Sequence, residues 1–245
     1  MKKISILALS LVLLFGLSAN TFAAETTTTT SKQVLVSEPN NSVAFQKVEL
    51  IKESNKMTVS VTGHVNPGDQ ARKVQIDVDA QKGTYKTKLI SSGPQKTSTT
   101  STIQPMSLLG LNSAAVTIDS EDPVYWSLAR TTQNLSWNVW SDGTVGYSSR
   151  SKDSWDGQPT QGGTYWYLDW NNFQGNPWYN ANNTMVGSDL SSQHHNWDFG
   201  LDNWATYANH NISIYGLATG GYDFNATYSH SGEDYFLLSA QIWMS

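Results

Sequence analysis

Leu135-Ser136-Trp137-Asn138-Val139-Trp140-Ser141-Asp142-Gly143-Thr144-Val145-Gly146-Tyr147 is the stretch that decides the fold. Leu135, Trp137 and Val139 alternate with polar neighbours, as the core-facing positions of a half-buried antiparallel strand must. Asp142-Gly143 then reads as a strong type I′ hairpin turn, and Val145 and Tyr147 resume the alternation on the return. One hairpin is therefore written into these residues.

Working outward, short runs at 115–118, 124–128, 164–168, 211–217, 222–228 and 235–243 read as further strands, separated by Gly- and Asn-rich turns such as Thr219-Gly220-Gly221. Tyr222, Phe224, Ala226 and Tyr228 share one face of their run and are expected to point inward. The last run is apolar on both faces, which suits a central strand. Seven or eight such strands call for a sandwich or an open barrel.

Upstream, period-two runs recur at Val48 and Leu50, at Met57, Val59 and Val61, at Val74, Ile76 and Val78, and at Tyr85 and Leu89. Ser54-Asn55, Asn66-Pro67-Gly68-Asp69 and Lys82-Gly83 fall between them, where turns are needed. The chain thus reads as all-β. The expected fold is a small N-terminal antiparallel meander at 44–92 plus a larger C-terminal β-sandwich or open barrel at 114–245 with a long aromatic-rich loop.

The remaining segments complete that division. Residues 1–24 have the Lys2-Lys3 start, apolar run and small-residue close of a signal peptide, which implies a secreted protein. Residues 25–43 read as a flexible tether and 93–113 as a Ser/Thr-rich linker with an apolar patch at 106–111. An alternative reading makes 25 to about 110 a propeptide. No later run approaches the ~18 apolar residues of a membrane-spanning helix.

Composition narrows the partners. The chain has no cysteine, which excludes disulfides, thiolate metal sites and cysteine nucleophiles, and with the short signal suggests a bacterial exporter. The sequons at Asn134, Asn182, Asn211 and Asn225 are then chance matches. All ten tryptophans, and ten of the eleven tyrosines, lie after residue 120. Residues 116–245 hold three basic side chains (Arg130, Arg150 and Lys152) against thirteen acidic ones, a net charge of −10. An acidic surface repels phosphate, so nucleic acid is not an expected partner.

The segment from Asp169 to His210 is dominated by Asn, Gly and aromatic residues, and as a long loop on a β scaffold it is the expected site. Trp170, Trp178, Tyr179, Trp197 and Trp204 would offer stacking faces, with Asn172 and Asn182 as amide partners. A sugar ring needs such an apolar surface beside hydrogen-bonding groups. The leading expectation is a secreted, non-catalytic protein that binds a polysaccharide or cell-envelope glycan, with self-association through open sheet edges as a further property.

Two alternatives stand beside it. A small glycoside hydrolase would pair Asp169 or Asp198 with Glu233 beside Asp234. An exported toxin or antimicrobial protein would insert exposed rings into a membrane, restrained by an N-terminal prosegment. No catalytic residue and no metal ligand set is assigned. Adjacent His194 and His195 on an extended chain point to opposite faces and cannot share an ion. No cofactor is expected apart from calcium, for which Asp198, Asp202 and Asn203, or Asp153 and Asp156, supply hard oxygen ligands.

Overall fold

The computed structural model describes residues 30–38, 45–79, 81–95, 107–157, 165–197, 205–232 and 235–245. The segment expected to be a signal peptide, Trp204, the Asp198, Asp202 and Asn203 group, and the Glu233-Asp234 pair lie outside the described residues.

The described chain is all-β. Fourteen strands follow in order: β1 (Ser31–Ser37), β2 (Lys47–Glu53), β3 (Lys56–Val65), β4 (Gln70–Asp79), β5 (Thr84–Gln95), β6 (Leu108–Glu121), β7 (Ser127–Trp140), β8 (Val145–Asp156), β9 (Tyr167–Phe173), β10 (Trp178–Tyr179), β11 (Met185–Asn196), β12 (Thr206–Leu217), β13 (Tyr222–Gly232) and β14 (Ser239–Met244). Among the described residues no helix is long and apolar enough to cross a membrane.

Strand order runs β10-β11-β12-β13-β3-β2-β1-β5-β4-β14-β6-β7-β8, with β9 on the β11 edge. This is one large sheet folded back on itself into a nearly closed barrel. β1 is the fold line. It runs antiparallel to β2, then parallel to β5 at Val36 and Ser37, so it joins the half led by β11 to the half led by β7.

On the opposite side β8 and the β9–β10 edge meet without a ladder, and individual bonds bridge them. Val145 N donates to Asn183 O at 2.7 Å, Tyr147 N to the Tyr179 hydroxyl at 2.9 Å and Leu168 N to Asp156 Oδ2 at 3.0 Å. Arg150 reaches Gly175 O at 2.9 Å, and Lys152 bonds to Asn171 O. Two of the three cations in the acidic half therefore close the barrel. Bare edge groups are hazardous, and these bonds occupy them.

The decisive hairpin forms, with β7 and β8 pairing Val139 opposite Val145, but its turn is not the expected type I′: Gly143 takes a φ of 81° while Asp142 does not adopt a positive φ. Trp137 is 0% exposed beneath it, its indole donating to Leu217 O at 3.0 Å. A Cβ on Gly216 would lie 2.4 Å from that ring, so a glycine is required where the indole crosses β12. The inward face of β13 also holds, with Tyr222, Phe224, Ala226 and Tyr228 all buried, and β14 is central, between β4 and β6.

The strands expected as an N-terminal meander are placed differently. β2 and β3 form one hairpin and β4 and β5 another, in opposite halves of the barrel, while β3 pairs with β13 and β4 with β14. Val59, Val61, Val74 and Ile76 share one core with Ile118, Leu135, Ile212, Phe224 and Ile242. Period-two alternation fixes which face is buried and leaves the neighbouring strand unspecified. Loss of residues 25 to about 110 as a propeptide would strip β1–β5 from the middle of the barrel.

Two further segments depart from expectation. Residues 31–37 of the presumed tether form β1, with Leu35 buried, because Lys32 to Val36 already has a strand's β-branched composition. Leu108 to Ser113 of the presumed linker begin β6.

Candidate functional site

The long loop expected at Asp169 to His210 is mostly strand, comprising β9, β10, β11 and the start of β12. Its alternation was hidden because the inward positions of β11 are polar: Ser188, Ser192, His194 and Asn196 are buried, and only Val186 and Leu190 are apolar. The opposite positions, Asp189, Ser191, Gln193 and His195, face outward.

These outward positions continue across three more strands in register. Ser191 lies opposite Asn211, which lies opposite Thr227, which lies opposite Ser60. The next row runs Gln193, Asn209, Ser229 and Thr58, and the one beyond it Asp189, Ser213, Asn225 and Thr62. Cross-strand bonds hold this array in place: Gln193 Nε2 donates to Asn209 Oδ1 at 2.8 Å, Ser60 Oγ to Asn225 Oδ1 at 2.9 Å and Thr227 Oγ1 to Ser60 Oγ at 2.9 Å. The result is a sheet face of amides and hydroxyls.

Aromatic rings stand at both ends of it. At one end Tyr167 stacks on His195 at 5.5 Å, Tyr165 stacks on Tyr167 at 6.3 Å, and Trp197 and Tyr207 approach His195 at 5.4 and 6.2 Å. Asp169 Oδ1 holds His195 Nδ1 at 2.6 Å, fixing the ring around which the others gather. Trp170 stands opposite Gln193. At the other end Trp178 lies over Gly187, where a Cβ would be 2.4 Å from the ring. Its Nε1 donates to Asp189 Oδ2 at 3.0 Å, and Tyr215 packs beside it at 5.6 Å. From His195 to Gly187 the array is about 27 Å long, at the usual rise of an extended strand.

The expected site residues divide between this face and the seam. Trp170 and Trp178 are each 38% exposed and Trp197 is 55% exposed, so these indoles face water. Tyr179 pairs with Val186, on the face opposite Trp178, and its hydroxyl serves the β8 seam. Asn172 is exposed opposite Ser191, and Asn182 is exposed in the β10–β11 turn. Tyr165, Tyr167, His195, Tyr207 and Tyr215 belong to the face although the loop reading missed them. Their signal was the odd-numbered spacing of His195, Tyr207 and Tyr215 on strands.

Directly beneath lies a buried polar chain. Asp156 Oδ1 meets His194 Nδ1 at 2.7 Å, and His194 Nε2 meets Thr131 Oγ1 at 3.1 Å. Thr131 Oγ1 also meets His210 Nδ1 at 3.0 Å and Ser192 Oγ at 2.6 Å. Ser120 Oγ then sits 2.8 Å from both His210 Nε2 and His230 Nε2. Burial lowers His210 well below the ordinary histidine range, helped by His194 and His230, and lowers His230 to about 3.

Thr131, His194 and Asp156 have the hydroxyl–imidazole–carboxylate connectivity of an activated nucleophile. Thr131 and His194 are nonetheless 0% exposed, inside the barrel wall, where no substrate reaches them. The arrangement satisfies buried polar groups, which are costly when left unpaired.

A second carboxylate pair, on β6, was also missed. Asp119 and Glu121 share the outward face and are almost fully buried. Arg130 Nη2 bonds to Asp119 at 2.9 Å, and its guanidinium lies 4.4 Å over the Trp243 ring. Burial raises Asp119, against the pull of Ser127 and Arg130, and burial with the neighbouring Asp119 raises Glu121 to about 7. Of the carboxylates expected for hydrolysis, Asp169 is held by His195. Asp156, considered for calcium, is bonded to His194 and Leu168 N. Among the described residues no three His, Cys, Asp or Glu side chains form a group that could hold a metal ion.

No known protein family, curated protein or solved structure matches this chain.

Proposed function

We propose that this is a secreted, non-catalytic protein whose outward β9–β11–β12–β13–β3 face binds a neutral glycan, as on a polysaccharide or cell envelope. The observation that supports the reading is one surface with exposed indole rings at both ends and a lattice made mostly of amides and hydroxyls between them. Rings stack on the C–H face of a sugar, and amides and hydroxyls meet its O–H groups. Of the charges on this face, Asp169 is bonded to His195, Asp189 to Trp178 and Asp223 to His64, while Lys56 stands at its edge opposite Ser231.

The test is partition onto cellulose, chitin and peptidoglycan, together with titration of soluble oligosaccharides followed by tryptophan emission. Trp170→Ala and Trp178→Ala should each weaken binding about tenfold, equivalent to about 1.4 kcal/mol, with unchanged far-UV circular dichroism. Absence of binding by wild type across that panel would sink the proposal.

One observation favours a membrane-contacting role instead. The β6–β7 loop exposes Val124, Tyr125 and Trp126, with Tyr125 at a φ of 65°. Asp122 Oδ1 accepts from Val124 N at 2.9 Å and Trp126 N at 2.8 Å, holding the tip rigid. A left-handed tyrosine costs on the order of 1–3 kcal/mol and concentrates at functional positions, and Trp with Tyr favours the bilayer interface. Partition of wild type, but not Trp126→Ala, into phosphatidylcholine vesicles would support this role over the glycan reading.

A further inference from the structure

We propose that the barrel mouth remote from the Val124–Trp126 tip is a second binding site, for a small uncharged polyol the size of one or two sugar rings. The cavity there is about 370 Å³ and lies between the β3–β4 turn, the start of β6, the end of β7 and the β12–β13 turn. Its volume falls within the ~300–1,000 Å³ of small-molecule sites, and barrel mouths are preferred places for them.

The lining selects the ligand. Val65, Leu109 and Val139 form an apolar floor continuous with the main core. Asn112 stands on the rim, and its side chain makes no hydrogen bond among the described residues. The Thr219 hydroxyl, beside it, accepts from Gly221 N at 3.4 Å and keeps its own proton to donate. An amide and a hydroxyl above an apolar floor match a ring with one C–H face and several O–H groups.

Charge narrows the class further. Asp69 is the one charged side chain in the lining, and its Oδ2 accepts from Asn66 N at 3.0 Å within the turn. With no cation facing the cavity, a carboxylate or phosphate has no partner there and meets Asp69 instead. The site rests on this cavity alone and is independent of the aromatic face.

Gly110 provides the decisive variant, because a Cβ there meets no atom within 4 Å, so a side chain at this lining position starts into open space in the mouth. The experiment is saturation-transfer NMR on the full chain with glucose, N-acetylglucosamine and glucuronate, each at about 10 mM, in the weak-binding range. Expected is transfer to the two neutral sugars and not to glucuronate. In the Trp170→Ala/Trp178→Ala background, which disables the aromatic face, that transfer should be retained, abolished by adding Gly110→Phe and weakened about tenfold by adding Asn112→Ala. The proposal is overturned by no transfer in wild type, by equal transfer to glucuronate in that background, or by signals there that survive both Gly110→Phe and Asn112→Ala. Loss in the Trp170→Ala/Trp178→Ala background itself would also overturn it and assign all sugar binding to the aromatic face.

Discussion

Acidification should destabilise this barrel through its buried histidines. His210 and His230 are 0% exposed, with His230 lowered to about 3 and His210 well below its ordinary range. In the unfolded chain both titrate near 6.5. Folding therefore favours the neutral rings. Their contribution is complete above pH 6.5 and is lost as pH falls toward the folded value, at about 1.4 kcal/mol per histidine per pH unit. Between pH 6.5 and about 4.5 His230 alone removes about 3 kcal/mol, and His210 acts in the same direction. That is a large part of a folding free energy of about 5–15 kcal/mol.

Glu121 acts in the opposite direction. Its pKa is raised from 4.5 to about 7, so its contribution is complete below 4.5 and is lost as pH rises through 7. Acidification thus restores up to about 3 kcal/mol at Glu121, comparable to the loss at His230, and masks part of the histidine effect. The assay is urea unfolding followed by tryptophan emission between about pH 7.5 and 4.5, in wild type, Glu121→Gln, and Glu121→Gln with His230→Asn. Glu121→Gln should steepen the acid dependence, and the added His230→Asn should flatten it by up to about 1.4 kcal/mol per pH unit. An acid slope indifferent to His230→Asn would refute the reasoning, whatever that variant does to absolute stability.

Three further outcomes follow from the same geometry. Arg130→Ala leaves the buried Asp119 carboxylate without its cation and should cost about 3–5 kcal/mol in chemical denaturation, whereas Lys47→Ala, at an exposed pair with Glu49, should cost under about 1 kcal/mol. Gly187→Ala should lift Trp178 off the sheet, breaking the 3.0 Å bond to Asp189, shifting tryptophan emission and weakening glycan binding as much as Trp178→Ala does. A chain beginning at Ser107 lacks β1–β5 and should show no cooperative unfolding transition.

The parts of the fold that were legible in the sequence are those where the inward face is apolar. Trp137 with Leu135, and Tyr222 with Phe224 and Tyr228, announce their strands because water exclusion and the period of two coincide there. β11 is equally regular as a strand, yet Ser188, Ser192, His194 and Asn196 occupy its inward positions, and a polar interior looks like a loop to any reading based on hydrophobicity. Neighbour choice was hidden for a different reason. Nothing in Val59-Ser60-Val61 says that Ala226 rather than Val74 lies alongside, since pairing at that sequence distance is settled by the closure of the whole barrel. For the proposed face, the aromatic surplus falls on the strands that carry it, while separating Trp178 from Tyr179 required the register of β10 on β11.

The two unusual features of the molecule meet on that strand. His194 points into the buried chain and His195 into the exposed ring cluster, one residue apart. A binding face made of rings has value only if their spacing is fixed before the ligand arrives, because side chains ordered on binding subtract from affinity. The Asp156–His194–Thr131 bonds anchor β11 from inside, at a position where apolar packing alone would tolerate sliding, since directional bonds specify register more tightly than dispersion contacts do. The polar interior thus acts as support for the outward face, and His194→Leu should separate the two properties. An apolar side chain there removes both bonds while keeping bulk, so the barrel should still fold, and Tyr167 and Trp197 should lose their fixed packing on His195. Glycan affinity should then fall while the thermal midpoint changes little. Unchanged affinity in a folded His194→Leu protein would show that the face is held by its own cross-strand bonds, and the buried chain would have no part in recognition.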